Sequence, residues 1–186
     1  MLTAIAHGPF LWYVTRSAGL VTLILLTASV VLGILTAGRF ATRDWPRFVV
    51  QGLHRNLSLL ALACLALHVG STVLDSYTSI GLQDAFVPFL SGYQRWWLGL
   101  GAVAADLMLA LAATSLLRTR IAPRLWRAVH WAGYACWPVA LAHGLGTGTD
   151  RGTSWVLVLT LGCAGAVLCA TVYRVVKLIP ARRYAR

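Results

Sequence analysis

Four histidines lie at two matched spacings within apolar stretches of the sequence. His54 and His68 stand at positions i and i+14, and His130 and His143 stand at positions i and i+13. On helices, which rise 1.5 Å per residue, these spacings correspond to about 21 Å and about 20 Å. Imidazole nitrogens bind metal ions and serve as axial ligands of haem iron. The spacing therefore indicates metal or haem chemistry repeated at two levels.

The composition predicts that membrane helices position these histidines. Hydrophobic residues make up 59% of the 186 residues and charged residues 11%, against roughly 25% charged in a soluble domain. The mean hydropathy is +0.73. A spanning helix needs about 20 apolar residues, and its backbone must be paired within the segment. We predict one all-α integral membrane domain over residues 1–186, a bundle of five transmembrane helices at Phe10–Ala37, Val49–Leu74, Trp96–Leu117, Leu125–Leu145 and Trp155–Ile179.

The basic residues predict the orientation of these spans. Of the 16 Lys and Arg residues, 13 fall on one side of the membrane, namely Arg39, Arg43, Arg47, Arg55, Arg118, Arg120, Arg124, Arg127, Arg174, Lys177, Arg182, Arg183 and Arg186. The positive-inside rule then places the N-terminus outside and the C-terminus in the cytoplasm of a plasma or inner membrane. The net charge of +11 follows from this topology, so we expect membrane lipid and no nucleic acid as a partner. The outer connection Asp75–Arg95 is too short to span and is expected to lie on the outer face.

With this orientation the histidines pair by depth. His54 and His130 share an inner level, and His68 and His143 share an outer level, with one imidazole from each helix at each level. Two facing imidazoles are the axial pair of a six-coordinate haem. We therefore predict two b haems stacked between the second and fourth helices. Core histidines hydrogen-bonded to hydroxyls or carbonyls, and a metal-transport site, are the alternative interpretations.

The azimuths of the histidines agree on one helix and disagree on the other. Fourteen steps of about 100° return to within roughly 40° of the start, so His54 and His68 share a face. Thirteen steps leave about 140° between His130 and His143. Pro138 lies between them, removes a backbone donor and can kink or re-phase a helix. We expect Pro138 to correct the phase.

The residues around the predicted ligands resemble the transmembrane domain of the ferric reductase and NADPH oxidase superfamily. The second span contains His-Arg-Asn-Leu at 54–57, and the fourth ends in His-Gly-Leu-Gly-Thr-Gly-Thr-Asp at 143–150. The resemblance covers Phe10–Ile179 and is greatest to short, actinobacterial-type ferric reductase-like proteins without an FAD and NADPH domain. It implies that His54/His130 and His68/His143 ligate an inner and an outer b haem. The larger oxidases have six spans and a cytoplasmic FAD and NADPH domain, which is not expected here.

Further polar and small residues suit a haem site. Haem propionates are anions that need cations or hydrogen-bond donors. The candidates are Arg55, Arg127 and Arg124 at the inner level, and Arg16, Arg95 and Tyr77 at the outer level. Glycines in the spans are expected to permit close approach of a helix or a haem; they are Gly33, Gly70, Gly99, Gly101, Gly133 and Gly162.

The predicted function is transmembrane electron transfer by an oxidoreductase subunit. The haems carry the chemistry, and the protein supplies ligands and burial. A separate flavoprotein or a membrane quinol is the expected donor, and an extracytoplasmic molecule is the acceptor. The alternatives are a quinol-oxidising cytochrome b subunit that feeds an exported redox partner, and a non-catalytic haem carrier or assembly subunit. A channel or transporter would need broken helices lined by ion ligands.

Overall fold

The computed structural model describes residues 9–38, 40–76, 80–148 and 152–183, and these residues contain helices but no β-strand. Seven helices occur within the described ranges. They are α1 (Pro9–Ala37), α2 (Arg47–Leu74), α3 (Leu82–Phe86), α4 (Arg95–Leu116), α5 (Pro123–Trp131), α6 (Gly133–Thr147) and α7 (Ser154–Arg183). The all-α prediction is confirmed for this part of the chain.

Four of these helices are long and apolar enough to cross a membrane. They are Phe10–Ala37, Arg47–Leu74, Arg95–Leu116 and Ser154–Lys177. Their ends lie within two residues of the predicted spans. Large apolar side chains on them, such as Leu59 and Leu161, are exposed, as expected for helices surrounded by lipid. The chain is therefore a multi-pass membrane protein.

The predicted fourth span, Leu125–Leu145, is not one continuous helix. It is divided at Ala132 into α5 and α6, which have 9 and 15 residues, and neither is among the helices long enough to cross alone. The Ala132 N–H donates to the Val129 carbonyl at 2.9 Å, which is an i→i−3 bond. Pro138 lies inside α6. The interruption was not predicted, and it lies six residues before Pro138, the residue that we expected to correct the phase of this span.

The turn at Ala132 has a consequence for the azimuth of His143. A second i→i−3 bond joins the Ala135 N–H to the Ala132 carbonyl at 3.0 Å. Such 3₁₀ geometry turns about 120° per residue instead of about 100°. Each residue in this turn therefore reduces the mismatch of about 140° that an ideal helix would leave between His130 and His143.

The described chain divides into two compact units. The first comprises Met1–Leu23 and Ala61–Thr149, and the second comprises Ile24–Leu60 and Asp150–Arg186. Helices α1 and α2 contribute one part of their length to each unit. Whether the whole chain acts as one domain stays a prediction.

In the first unit, α4 packs mainly against α6. The buried face of α4 consists of small side chains, such as Ala102 and Ala105, and α6 contributes the buried Cys136 and Trp137. Small residues allow helix backbones to approach closely, which is the usual basis of packing in membranes. The Cys136 thiol lies 3.5 Å from the Ala104 carbonyl.

The short helix α3, which lies between α2 and α4 in the chain, packs against α4. Phe89 has a φ of 63°, and a Cβ at Gly99 would overlap its ring. The Arg95 Nε donates to the Phe89 carbonyl at 2.7 Å. A non-glycine residue in the left-handed region is uncommon, and here it places the phenyl ring on α4 and the carbonyl on Arg95.

The second unit contains the remaining parts of α1 and α2 together with α7. Its buried residues include Ile34, Val50 and Val156. Between the connection that follows α1 and helix α7, the Phe40 and Tyr173 rings meet edge to face with centroids 6.4 Å apart.

The α4–α6 contact can be tested at Gly146. A Cβ there would overlap the Trp97 indole, whereas a Cβ at Gly144 would meet nothing within 4 Å. Overpacking costs about 1–3 kcal/mol, while Gly→Ala in a helix otherwise gains up to ~1 kcal/mol. We expect Gly146→Ala to lower the thermal unfolding midpoint in detergent, and Gly144→Ala to leave it unchanged or raise it. Equal midpoints for the two variants would contradict the packing described.

Candidate functional site

His68 is fixed to α1 within the first unit. Its Nδ1 lies 2.8 Å from the Thr15 carbonyl oxygen. A carbonyl only accepts hydrogen bonds, so Nδ1 carries the proton and Nε2 keeps its lone pair. The Thr15 hydroxyl also donates to the Ser71 hydroxyl at 2.7 Å. Two bonds from one residue of α1 therefore hold α2 at the level of His68.

His143 is held in the same way by α4. Its Nδ1 donates to the Trp97 carbonyl at 2.8 Å, which again leaves Nε2 with a free lone pair. The His68 and His143 rings have centroids 6.2 Å apart and planes inclined at 78°. The structure therefore brings the two predicted outer histidines together.

His54 has the corresponding arrangement in the second unit. Its Nδ1 donates to the Ser29 carbonyl of α1 at 2.8 Å. The Ser29 hydroxyl lies 2.6 Å from the Ser58 hydroxyl of α2. The α1 residue that binds the imidazole thus also binds α2 through its side chain, as Thr15 does at the outer level.

A hydroxyl follows each of these three histidines by one helical turn. Ser58 and Thr72 donate to the carbonyls of His54 and His68, both at 2.7 Å. Thr147 donates to the His143 carbonyl at 2.9 Å. This His-x-x-x-Ser/Thr pattern was not predicted, although it is visible three times in the sequence. Such bonds satisfy the hydroxyl within its own helix, which matters where no water is present.

His130 is held differently, by an aromatic side chain of its own helix. The Trp126 and His130 rings stack with centroids 4.8 Å apart and planes within 21° of parallel. The Arg118 guanidinium lies 5.7 Å from the centre of the Trp126 ring, which is within the range of cation–π attraction. His130 belongs to the first unit and His54 to the second, so their pairing at one level stays a prediction.

The predicted propionate-binding residues occupy different surroundings. Arg16 is half-buried, and its guanidinium lies against Gly148. Arg95 is engaged with the Phe89 carbonyl, which the sequence did not suggest. Three inner-level candidates are exposed, namely Arg55, Arg124 and Arg127, and Tyr77 lies outside the described residues.

The predicted close-approach glycines fall into two groups. Gly33 and Gly101 meet histidine rings, and Gly99 and Gly133 meet Phe89 and Leu111. Gly70 and Gly162 have no atom within 4 Å of a built Cβ. Gly19, which the sequence analysis did not select, meets the His68 ring.

The arrangement suits a ligand bound by two imidazoles from different helices. Among the described residues, no group of three or more His, Cys, Asp or Glu side chains could hold a metal ion. A metal held by the protein alone usually takes four side-chain ligands or three with water. A haem iron takes four ligands from the porphyrin and needs only two axial side chains.

Comparison with known protein families identifies one match. The model of the ferric reductase like transmembrane component matches residues 18–141. This range contains His54, His68 and His130 and ends two residues before His143. No curated protein and no solved structure gives a significant match. Because the match covers two thirds of the sequence, the chain belongs to the ferric reductase-like transmembrane family.

Proposed function

We propose that this protein transfers electrons across a membrane through two b haems, each held by two histidines. His68 and His143 hold the outer haem, and His54 and His130 hold the inner one. Family membership supports an electron-transfer role. The observation that carries the proposal is the pair of outer imidazoles, from α2 and α6, with centroids 6.2 Å apart.

The separation of the outer pair is close to the one that two imidazoles on a single metal centre would have. An imidazole nitrogen binds a metal at about 2 Å, so two rings on opposite sides of one ion have centres roughly 6 Å apart. The separation of 6.2 Å agrees with this value. Both Nδ1 atoms donate to backbone carbonyls, so both Nε2 atoms can be ligands. A ligating histidine commonly donates its other N–H to a carbonyl in this way.

The residues of the chain supply fixed ligands, a low dielectric and charge balance. When bound, haem supplies one-electron oxidation and reduction at its iron. The carbonyls of Thr15, Ser29 and Trp97 each orient the imidazole that donates to them, and each raises the basicity of that imidazole as a ligand. Arg16, which is half-buried with its guanidinium against Gly148, is the residue that we assign to a haem propionate. A carboxylate–guanidinium pair is a strong, charge-assisted contact.

The proposed topology has the N-terminus outside and the C-terminus in the cytoplasm of a plasma or inner membrane. Arg118, Arg120, Arg124 and Arg127 precede or lie in α5, and a further basic group lies at the C-terminal end of the sequence. The positive-inside rule favours the same side for both groups. This requires α5 and α6 to cross the membrane together as the fourth of five spans, with an interruption at Ala132. Broken helices are tolerated in membranes where they are buried in protein.

We assign electron flow from the inner to the outer level. The donor is a cytoplasmic flavoprotein or a membrane quinol, and the acceptor is a ferric chelate or an exported redox partner. The basic inner surface favours an acidic donor, and such electrostatic encounters are weak and sensitive to salt.

Haem content tests the ligand assignment. Fully loaded wild-type protein should contain two low-spin b haems per chain by haemochrome assay and redox titration. His68→Ala should lose the outer haem and keep the inner one, because only the outer level loses a ligand. His54→Ala is the matched control and should show the reverse loss. One haem or none in loaded wild type would refute the assignment.

Reporter fusions test the topology. A fluorescent protein fused after Arg186 should fluoresce in the cytoplasm, and alkaline phosphatase inserted between α6 and α7 should be active outside. The second fusion examines whether α5 and α6 cross together. A dark fluorescent protein after Arg186 together with an inactive phosphatase between α6 and α7 would contradict the proposed topology.

Vesicles test the relay. Inside-out proteoliposomes loaded with a ferric chelate expose the inner face to an external flavoprotein reductase or quinol. Wild type should reduce the trapped chelate, and His54→Ala should fall to the rate of protein-free liposomes, since the inner level no longer passes electrons. Transfer at the wild-type rate by a folded His54→Ala protein that keeps its outer haem would exclude a two-haem relay.

A further inference from the structure

Three of the four histidines share one backbone arrangement. Each donates Nδ1–H to a carbonyl on a neighbouring helix, and the residue four positions after that carbonyl is a glycine. The pairs are Thr15 with Gly19 for His68, Ser29 with Gly33 for His54, and Trp97 with Gly101 for His143. The glycine in each pair is also the one whose built Cβ would meet that same imidazole ring.

Helix geometry explains why glycine suits this position. In an α-helix the carbonyl of residue i already accepts the N–H of residue i+4. Each Cα–Cβ bond is tilted toward the helix N-terminus, so the Cβ at i+4 leans over the carbonyl of residue i. A second donor from another helix must approach past that Cβ. Glycine removes the obstacle and lets a whole imidazole ring lie on the helix backbone.

The spacing of the glycines is independent support. Gly19 and Gly33 on α1 are related as i and i+14, as are His54 and His68 on α2, and the glycines meet the histidines in reversed order. The reversed order is the one expected where two helices run in opposite directions. Helix α1 thus offers a carbonyl and a glycine at each of the two positions where α2 presents a histidine.

We propose that Gly19, Gly33 and Gly101 are positioning residues that fix three imidazoles with the proton on Nδ1 and the lone pair of Nε2 directed to a haem. This inference rests on the proposed function, and it extends the proposed haem site to residues that carry no side chain. The glycines act through the histidines and make no contact with the iron.

The three positions differ in how much room they leave. A Cβ at Gly101 would lie 2.5 Å from the Cε1 atom of His143, and one at Gly19 would lie 2.9 Å from that of His68. A Cβ at Gly33 would lie 3.4 Å from the Cε1 atom of His54, which is ordinary contact. Alanine should therefore disturb His143 most, His68 less and His54 least.

Alanine substitutions with neighbouring glycines as controls test the proposal. Gly101→Ala and Gly19→Ala should lose most of the outer haem and keep the inner one. Gly33→Ala should keep both haems and shift only the low-spin electron paramagnetic resonance signal and midpoint potential of the inner one. Gly52→Ala and Gly144→Ala lie within two residues of a histidine, and their methyl groups would meet nothing within 4 Å. These controls should match wild type in content, spectrum and potential.

Variants that match their controls, or that affect both haems alike, would overturn the proposal. A wild type that binds no haem would instead overturn the proposed function. The two failures are therefore distinguishable in one set of spectra.

A stability cycle tests the contact without haem. If the Gly101→Ala methyl group disturbs only the imidazole, its effect on thermal unfolding of haem-free protein should disappear in the His143→Ala background. The two effects should thus be strongly non-additive, as for residues in direct contact. Additive effects, or a double variant that fails to fold when His143→Ala folds, would overturn the assignment of Gly101.

Discussion

An imidazole within a membrane must find a partner for its N–H inside the protein, because lipid offers none. Backbone carbonyls of α1 and α4 meet this requirement for three histidines. The choice of a carbonyl as the partner decides the tautomer, since a carbonyl only accepts. The remaining ring nitrogen of each imidazole then has a fixed chemical character as a lone-pair donor. The orientation of these three imidazoles thus depends first on hydrogen bonding to the backbone.

Because of this constraint, the histidines and the backbone groups that orient them lie on different helices. Helices α2 and α6 carry His54, His68 and His143, whereas α1 and α4 carry the carbonyls and glycines that hold them. Hydroxyl pairs such as Ser29 with Ser58 add a second hydrogen bond between the helix that carries the carbonyl and the helix that carries the histidine. The helices without a predicted ligand are therefore as much part of the site as the helices with one.

The sequence predicted the elements better than their internal detail. Long apolar runs located four helices to within two residues, because length and hydropathy alone determine a span. The break at Ala132 was not predicted, since it is made by i→i−3 backbone bonds, and the one glycine beside it, Gly133, is tolerated within many helices. Pro138 was the more obvious signal, yet it lies within α6.

The four histidines were selected from side-chain type and spacing, and the rings of His68 and His143 lie 6.2 Å apart, although their role as ligands stays a prediction. Their carbonyl partners could not be read directly, because every residue has a carbonyl and no side chain marks the one that is used. The glycine four residues later was the available signal. The engagement of Arg95 also escaped prediction, because it depends on the left-handed backbone of Phe89.

The i, i+14 spacing that α1 and α2 share makes the lengths of these two helices interdependent. One residue inserted between His54 and His68 would turn the later histidine by about 100° and move it by about 1.5 Å, away from its carbonyl and glycine. An insertion between Gly19 and Gly33 would have the same effect from the other side. A change of length in either stretch would therefore separate one histidine from its carbonyl and glycine while the other contact stays in register. Related sequences should preserve the interval in both helices even where the apolar residues between the fixed points vary freely.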